Sequence, residues 1–551
     1  MTQQKKSDAG FLLQGSILAI ASIISRVVGL IYRIPLTAII GKQGNDFYGT
    51  AYEVYNIVLL ISCYSIPLAV SKLVSGKMAM GHVKEALKVL RGSLIFAVVS
   101  GGLFSSIVFI FADYFTGTIL KTPLSVIALR ILAPTIFIVA VLGVFRGFFQ
   151  GLHTMVPSAV SQLFEQIINA IVSVVAAYNL YNYGKKVGAV LANEDLYAAA
   201  YGAAGGTLGT ALGAVSALLF ILLIFALYRK QFIKKVHNDI NRDEDSFFTI
   251  GKALFLTIIP IILSTTIYNI SGILDQGLFK NIVTLQGYDS TQISTWWGVF
   301  AGQYKVLINV PISIASAIGA SVVPSLTAAF NRAEYKSVKH QINLATRFIS
   351  IVSFPSAAGL FVLAGPIMQL LFNDPDPTSK YMLMTGAISI VFYSLSTLSN
   401  GILQGIDRMK IPVFNAFITL ILHLGFLMII LEVFDLNIYS VILANIFYSL
   451  CMVILNGIAL KKHAGVSYEY FRTFVTPLLA SVIMGLFTFG AYKLMMLIVK
   501  VNFIAIIVAM VVACATYFVA IILMRALTEE EMLKLPKGAL LVKIAKKTHL
   551  I

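Results

Sequence analysis

The chain has 551 residues, of which 58% are hydrophobic and only 12% are charged, and its mean hydropathy is +0.88. Soluble domains are about half apolar and about a quarter charged, so this composition leaves too little polar surface to coat a soluble particle. It excludes a soluble multidomain enzyme, a secreted disulfide scaffold and a disordered chain. The net charge of +17 is explained first by basic cytoplasmic loops. We therefore predict a polytopic membrane protein.

The amino-terminal region predicts a retained first helix. The apolar stretch from Phe11 to about Ile40 is too long for the core of a signal peptide and has no clear small-residue cleavage site. Cys63, Cys451 and Cys514 all fall in apolar segments without the spacing of metal ligands. We expect them to be small hydrophobic residues within the membrane.

Apolar runs bounded by charged or turn-forming residues predict an all-α protein with fourteen transmembrane helices. Several runs exceed the length needed to span a bilayer, so tilts or kinks are expected. The predicted helices cover 11–40, 51–74, 91–113, 122–146, 157–181, 197–228, 250–280, 292–327, 345–372, 380–403, 411–432, 437–460, 472–498 and 502–525.

The distribution of Lys and Arg predicts that both termini are cytoplasmic. With the amino terminus inside, the inside segments hold 29 basic residues and the outside segments hold 8. This asymmetry follows the positive-inside rule across every pair of segments. The four remaining bases, Arg26, Arg33, Arg130 and Lys305, lie within predicted spans.

Two sequence echoes indicate an internal repeat. The segment 150–157 shares a Gln-Gly-aliphatic pattern, a later Met and an aliphatic–Pro pair with 404–412. The segments 81–96 and 333–350 are both basic amphipathic stretches that lead into a helix. An offset of six helices preserves topology, so the repeats are parallel and predict two lobes related by a pseudo-two-fold axis along the membrane normal.

The repeat predicts the domain organisation. Each lobe holds six helices, and the last two helices are an addition. The predicted parts are an N-lobe (1–229), a cytoplasmic linker (230–249), a C-lobe (250–463), helices 13 and 14 (464–527) and a basic cytoplasmic tail (528–551).

The sequence contains no nucleotide-binding motif of the P-loop kind, and its glycines and histidines fit structural roles. Gly205, Gly209 and Gly213 are spaced by four on an apolar helix, which is typical of close helix packing. Of the seven histidines, only His423 lies in the middle of a span. We interpret it as a packing or interhelical hydrogen-bonding residue in preference to a ligand.

The bases within the spans are the candidate functional residues, because an intramembrane charge needs water, a partner or a ligand. Arg26 and Arg33 lie seven residues apart, which places them on nearly one helix face about 10 Å apart along the axis. Two guanidinium groups on one face suit a ligand with several phosphate oxygens. The alternative is pairing with carboxylates on neighbouring helices, for which the candidates are Asp46, Glu53, Glu165 and Asp275.

Predicted helix 8 contributes Lys305, followed by Asn309. A cation from each lobe would clamp an anion between the two lobes, although Lys305 fits a structural role equally well. Arg130 lies close enough to a helix end to snorkel. Asp275, with Asn269 and Gln276, is a candidate site for a coupling Na⁺ or H⁺, and helix packing explains it equally well.

The stretch from Ser25 to Leu36, SRVVGLIYRIPL, resembles the opening of the MurJ-type lipid II flippases, above all their YtgP/SpoVB polysaccharide-biosynthesis branch. The fourteen-helix pattern, the Gln-Gly turns and Pro324-Ser325-Leu326 extend the resemblance over essentially the whole chain. The resemblance implies a member of the multidrug/oligosaccharidyl-lipid/polysaccharide (MOP) exporter superfamily that works by alternating access.

The resemblance also implies site residues. Arg26 and Arg33 match the two helix 1 arginines of the family, Lys305 falls within a residue of its helix 8 arginine, and Asp46 matches its acidic residue at the start of helix 2. The helix 2 arginine of the family has no counterpart between residues 56 and 66. In the family, helices 13 and 14 form a groove for the lipid tail. The predicted substrate-binding set is Arg26, Arg33, Lys305, Asp46, Ser25 and Asn309.

The function expected from these observations is translocation of undecaprenyl-diphosphate-linked lipid II across a bacterial plasma membrane by a monomer that is not an enzyme. No cofactor is expected beyond a coupling ion, the partners are membrane lipids, and no nucleic acid is involved. Other lipid-linked saccharides, such as spore-cortex or capsule precursors, share the diphosphate and remain alternatives. A cation-coupled drug exporter would favour acidic residues in the cavity, and a membrane enzyme would need a carboxylate cluster at the outer face.

Overall fold

The computed structural model describes residues 2–239, 246–526, 529, 542–543 and 546, and the described residues form only helices and turns. Residues 240–245 of the predicted linker and most of the predicted tail lie outside this set. The α-helices are α1 (Thr2–Ser62), α2 (Ile66–Ala79), α3 (Val83–Ile110), α4 (Ser125–Gly151), α5 (Val156–Val190), α6 (Glu194–His237), α7 (Phe247–Asn269), α8 (Ser271–Leu285), α9 (Ser290–Val299), α10 (Lys305–Asn331), α11 (Tyr335–Val362), α12 (Ala364–Phe372), α13 (Pro377–Gly386), α14 (Ser389–Gly405), α15 (Lys410–Val433), α16 (Ile438–Ala464), α17 (Thr476–Ile498) and α18 (Asn502–Leu523).

The helices form two compact units, residues 1–302 and 303–551. The first unit contains α1–α9, and its largest buried cluster joins α1 through α4 with α6 and α7. The second unit contains α10–α18, with a smaller buried cluster where α17 meets α18. Short π-helical turns cover Tyr114–Ile119, Phe300–Tyr304 and Phe471–Val475. The six-plus-six lobes and their pseudo-symmetry axis stay predictions.

Among the described residues, eleven helices are long and apolar enough to cross a membrane. One of these segments, Ala21–Ala79, has 59 residues. A helix rises about 1.5 Å per residue and a bilayer core is about 30 Å thick, so this segment has the length for two crossings. The structure thus supports a polytopic membrane protein, and the count of fourteen spans stays a prediction.

A bend at Gly41 lies between predicted helices 1 and 2. Gly41 has φ 68° and ψ −175°, and α1 continues on both sides of it. A left-handed φ is readily accessible to glycine because it lacks a Cβ. Residues 42–50, which separate predicted helices 1 and 2, are therefore helical, and Asp46 lies on the part of α1 that follows the bend.

Other predicted helices are broken or extended. Predicted helix 7 divides into α7 and α8, predicted helix 8 into α9 and α10 with a π-helical turn between them, and predicted helix 10 into α13 and α14. The start of the predicted linker is helical, because α6 continues to His237 with Phe232 buried against the first unit. Lys234, Lys235 and His237 lie in the last turn of α6, where cations interact favourably with the helix dipole.

The turns of the internal repeat have matching backbone geometry. After α4, His153 has φ 59° and the amides of residues 152, 153 and 154 donate to the carbonyls of 148, 150 and 149. After α14, Asp407 has φ 58° and the amides of 406, 407 and 408 donate to 402, 404 and 403. The turns before α3 and α11 also match, with Gly81 and Ala333 both at positive φ. The same amide-to-carbonyl pattern also ends α8, α10 and α18, so it is a common way to end a helix, and the internal repeat stays a prediction.

The glycines of α6 pack directly against α5, as predicted. A Cβ on Gly205 would lie 2.5 Å from the carbonyl oxygen of Ala176, and one on Gly213 would lie 2.7 Å from that of Glu165. A Cβ on Gly209 would overlap Ser173. The spacing by four therefore brings the two helix backbones into contact.

We expect Gly205→Ala to destabilise the protein by about 1–3 kcal/mol, because the added methyl group overpacks a backbone contact. Gly102→Ala in α3 is the matched control, since no atom lies within 4 Å of the position of its Cβ. Thermal unfolding of the two purified variants in detergent measures the difference. If Gly205→Ala and Gly102→Ala unfold at the same temperature, the backbones of α5 and α6 are not in close contact at Gly205.

His423 has the interhelical role that the sequence analysis favoured. It is completely buried, and its Nδ1 lies 2.8 Å from the carbonyl oxygen of Ala444 on α16. The imidazole ring also meets Tyr448 edge to face at 5.6 Å between centroids. The residue therefore joins α15 to α16.

Candidate functional site

The first segment of α1 carries two arginines in different environments. Arg26 is exposed, whereas Arg33 is half-buried and the neighbouring Ser25 is buried. Within the part of the chain that the structure describes, neither arginine forms an ion pair with a carboxylate. The Ser25 hydroxyl also has no hydrogen-bond partner among the described residues. This segment therefore presents cationic and polar groups that the first unit does not neutralise.

Arg33 is held by aromatic rings on the other side of the Gly41 bend. Its guanidinium carbon lies 4.3 Å from the ring centre of Tyr48 and 5.6 Å from that of Tyr52. The two tyrosine rings stack on each other at 4.6 Å. A cation–π contact stabilises the charge without using an N–H donor, so the guanidinium can bind phosphate oxygens at the same time.

A polar strip on α5 faces α1. Ser22 donates to Gln162 at 3.2 Å, and Asn169 donates to the Tyr32 hydroxyl at 3.4 Å. Between these bonds, the Gln166 amide nitrogen lies 3.0 Å from the position that a Cβ on Gly29 would take. The glycine therefore allows a polar side chain to lie against helix 1 between the two arginines.

The carboxylates offered as alternative partners for Arg26 and Arg33 lie elsewhere. Glu165 pairs with Arg146 at 2.8 Å, and Arg146 also donates to Ser161. Glu53 lies against the first turn of α8, with its Oε2 3.0 Å from the Cβ position of Gly272. Separately, Arg130 pairs with Asp113 at 2.6 Å near the surface of the unit. In this structure, ion pairing does not explain the helix 1 arginines.

Asp46 is buried in an ion pair that the sequence analysis did not anticipate. Both Asp46 and Lys280 are 1% exposed, and Lys280 Nζ lies 2.5 Å from Asp46 Oδ1. The same ammonium donates to Thr122 Oγ1 at 2.5 Å. Predicted helix 7 ends at Lys280, whereas α8 continues to Leu285 and carries this lysine on its buried face. The buried period Asp275-Gln276, Phe279-Lys280, Val283 was the signal in the sequence that indicated an inward-facing lysine.

Two further bases, at the ends of predicted helices 4 and 9, lie within longer helices of the structure. Arg146 belongs to α4, which extends to Gly151. Arg347 is buried in α11 and pairs with Glu469 at 2.9 Å. These pairs bridge α4 to α5 and α11 to the segment before α17.

The predicted ion-coupling residues have different surroundings. Asp275 is buried on α8, whereas Asn269 is exposed at the end of α7 and donates to the Thr265 carbonyl at 2.7 Å. The break at Ile270 separates their two helices. Among the described residues, no group of three or more His, Cys, Asp or Glu side chains could hold a metal ion.

Lys305 and Asn309 belong to the second unit. Lys305 is half-buried at the start of α10, directly after the π-helical turn, and Asn309 is exposed one turn later. They therefore lie about one helical turn apart on α10. Their convergence with helix 1 on one ligand stays a prediction.

The second unit also contains an apolar cavity with a volume of about 680 Å³. Its walls come from α10, α11, α12, α17 and α18, including Pro311, Ser356, Met484 and Tyr517. Apolar cavities of this size bind hydrophobic ligands or ligand segments. The two helices outside the predicted repeat thus form one wall of an apolar cavity.

A family model described as "Polysaccharide biosynthesis protein" matches residues 12–330, more than half of the chain. The chain belongs to this family. A second model, described as MatE, matches residues 306–429 of this polysaccharide biosynthesis protein.

Two proteins of Bacillus subtilis (strain 168) are similar to this family member over most of their length. "Lipid II flippase MurJ" is 26% identical over 492 residues, which cover 86% of this chain and 87% of that protein. "Stage V sporulation protein B" is 22% identical over 541 residues, with coverage of 95% and 97%. These relatives confirm the resemblance that the helix 1 motif indicated.

Solved structures show that this polysaccharide biosynthesis protein has the fold of the MOP superfamily. A lipid II flippase MurJ in an inward closed conformation has a TM-score of 0.64 at 16% identity and covers 91% of this chain and 97% of its own. An inward-facing multidrug resistance MATE family transporter has a TM-score of 0.65 at 14% identity, with coverage of 81% and 98%. The names of these relatives agree with the prediction of a transporter and not an enzyme. With the eleven apolar helices, they indicate a multi-pass protein of the bacterial plasma membrane.

Proposed function

We propose that this protein flips an undecaprenyl-diphosphate-linked saccharide from the inner to the outer leaflet, with lipid II as the leading substrate. The observation that carries the proposal is the pair Arg26 and Arg33, two cations on one face of a transmembrane helix without a carboxylate partner among the described residues. Leaving such charges unpaired in a membrane is unfavourable unless water or an anionic ligand meets them. A lipid-borne diphosphate supplies that anion.

The apolar cavity of the second unit supports the same substrate class. A saccharide headgroup and a diphosphate need a polar path, whereas a polyprenyl tail needs an apolar surface. The cavity between α10, α11, α12, α17 and α18 has a volume of 680 Å³ and is lined mainly by apolar side chains. We assign it to the proximal part of the lipid tail, as the groove predicted for helices 13 and 14.

The proposed cycle is alternating access and breaks no covalent bond. The headgroup enters a cationic cavity on the cytoplasmic side, Arg26 and Arg33 bind the diphosphate, and Lys305 approaches it from the second lobe. Rocking of the lobes then exposes the headgroup on the other side while the tail stays in the bilayer. Membrane potential, a coupling Na⁺ or H⁺, or removal of the product outside drives the cycle. We propose that one chain is sufficient.

A tryptophan placed in the apolar cavity is expected to prevent binding of the substrate's prenyl tail there. Ser356 lines the cavity on α11, and Ser356→Trp fills space that an isoprenoid chain would occupy. We expect at least a tenfold fall in flipping of a long-chain substrate and a smaller effect on one with a shortened prenyl tail. Flipping in vesicles with both substrates measures this. An equal fall in the flipping of both substrates would contradict the assignment of this cavity to the lipid tail.

Complementation tests the substrate. Cells depleted of their essential lipid II flippase should grow when this chain is expressed, and the double variant Arg26→Ala/Arg33→Ala should fail at equal membrane abundance. The similarity to "Stage V sporulation protein B" over 95% of the chain favours, as the second candidate, another lipid-linked saccharide required in sporulation. Failure of the wild-type chain to rescue growth, combined with rescue of a sporulation defect, would select that candidate.

A further inference from the structure

We propose that Lys280 is a second anion-binding position on the exit side of the path, and that Asp46 occupies this position in the state seen here. The inference rests on the proposed function and identifies where the diphosphate binds after it leaves helix 1. In this reading, Asp46 acts as a built-in anion that is exchanged for the phosphate during each cycle.

The ion pair joins three parts of the first unit. Asp46 lies on α1 after the Gly41 bend, Lys280 lies on α8, and Thr122 precedes α4. The ammonium contacts both Asp46 Oδ1 and Thr122 Oγ1 at 2.5 Å. Lys has three N–H donors, so these two contacts leave one donor of Lys280 beyond them.

The hydrogen bonds around the carboxylate are incomplete. Thr50 donates to Asp46 Oδ1 at 3.2 Å and accepts from Gln276 at 2.5 Å. Asp46 Oδ2 and Gln276 Oε1 have no hydrogen-bond partner among the described residues. A buried ion pair offsets its desolvation only when its remaining polar atoms are also satisfied. This pair is therefore better suited to opening and closing than to permanent stabilisation.

The pair lies in the wall of a polar cavity. The cavity has a volume of 590 Å³, and eleven of its sixteen lining residues are polar or charged, among them Lys121, Thr284 and Ser294. The Ser294 hydroxyl has no hydrogen-bond partner among the described residues. Ammonium and hydroxyl donors around one space are the groups that bind phosphate oxygens.

The position of the polar cavity fits the outer end of the path that the headgroup follows. With the predicted cytoplasmic amino terminus, the segments 41–50, 114–121, 181–198 and 280–291 are predicted to lie outside, and all four contribute to the wall of the cavity. An anion that crosses from helix 1 would therefore reach Lys280 at the end of the path. Separation of α8 from α1 would expose the ammonium, and a phosphate oxygen would replace Asp46 Oδ1 without any covalent change.

Protection of a reporter cysteine tests the inference. In a background without Cys63, Cys451 and Cys514, Ser294→Cys is labelled in reconstituted vesicles with a membrane-impermeant thiol reagent, with and without inorganic pyrophosphate. We expect Asp46→Asn to raise the labelling rate several-fold by releasing α8, and pyrophosphate to reduce this rate at least fivefold. In Asp46→Asn/Lys280→Gln, labelling should stay fast and protection should disappear. The control Arg130→Gln, which breaks an exposed ion pair of the same unit, should label like the reporter background.

Two results would overturn the inference: no protection in Asp46→Asn, or equal protection in the double variant. If Asp46→Asn does not fold, Asp46→Ser replaces it in both arms. A polyprenyl diphosphate added to the vesicle leaflet distinguishes a lipid-borne anion from a free one, since only the lipid-borne ligand should protect at low bulk concentration. The labelling needs no transport. Protection without flipping would therefore refute the proposed function alone, and flipping without protection would refute this inference alone.

Discussion

Arg33→Ala is expected to lower the flipping rate of a lipid-linked diphosphate about 10- to 100-fold while the protein still folds. A hydrogen bond to a charged group contributes about 1.5–3 kcal/mol, and about 1.4 kcal/mol corresponds to a factor of ten. The guanidinium rests on Tyr48 and Tyr52, so its removal deletes a cation without leaving a buried carboxylate unpaired. Flipping in vesicles of defined protein content measures the effect.

The matched controls for Arg33→Ala separate charge from geometry. Arg130→Ala removes an arginine from the same unit that is exposed and paired with Asp113, and it should keep the wild-type rate. Arg33→Lys keeps the charge but loses the two-pronged donor geometry, so an intermediate rate is expected. A wild-type rate in Arg33→Ala would eliminate the cationic-site model.

Lys280→Ala is expected to be among the most destabilising single substitutions in the first unit, by about 3–5 kcal/mol. The carboxylate of Asp46 is 1% exposed, so loss of the ammonium leaves a buried charge without its partner. The double variant Asp46→Asn/Lys280→Met removes both charges and should recover much of the stability, because the desolvation penalty of the ions is removed too. Thermal unfolding of purified protein in detergent ranks the variants.

Lys121→Ala is the control for Lys280→Ala, because Lys121 lines the same cavity but is exposed. Its effect should stay within about 0.5 kcal/mol, as for most surface substitutions. If Lys280→Ala and Lys121→Ala unfold at the same temperature as the wild type, the buried ion pair is not formed in the folded protein.

The helix 1 arginines were identified from the sequence because the pattern that singles them out is local. Hydropathy identified the span, the spacing of Arg26 and Arg33 placed them on one face, and the surrounding motif resembled one family. The turn pattern around Gly151 and Gly405 was also local, and the structure repeats it with matching hydrogen bonds. The polar strip of Gln162, Gln166 and Asn169 follows helical spacing on α5 as well, although its contact with α1 does not follow from spacing.

The ion pair between Asp46 and Lys280 was not predictable from such local patterns. Predicted helix 7 ends at Lys280, so the burial of this lysine within a longer helix was not predicted. The break between α7 and α8 at Ile270 and the continuation of α8 to Leu285 put the lysine on a buried face. The Gly41 bend directs the second part of α1, which carries Asp46, and the spacing of the sequence does not show where that part packs.

The sequence by itself determined the membrane class and the spacing of the two helix 1 arginines, because hydropathy and spacing are properties of neighbouring residues. Only the tertiary structure decided which charges are neutralised. Asp46 and Lys280 are 234 positions apart in the chain, and Arg33 meets its tyrosines only because α1 folds back at Gly41. An ion pair or a cation–π contact depends on distance in space, and that distance is set by how the helices bend and pack.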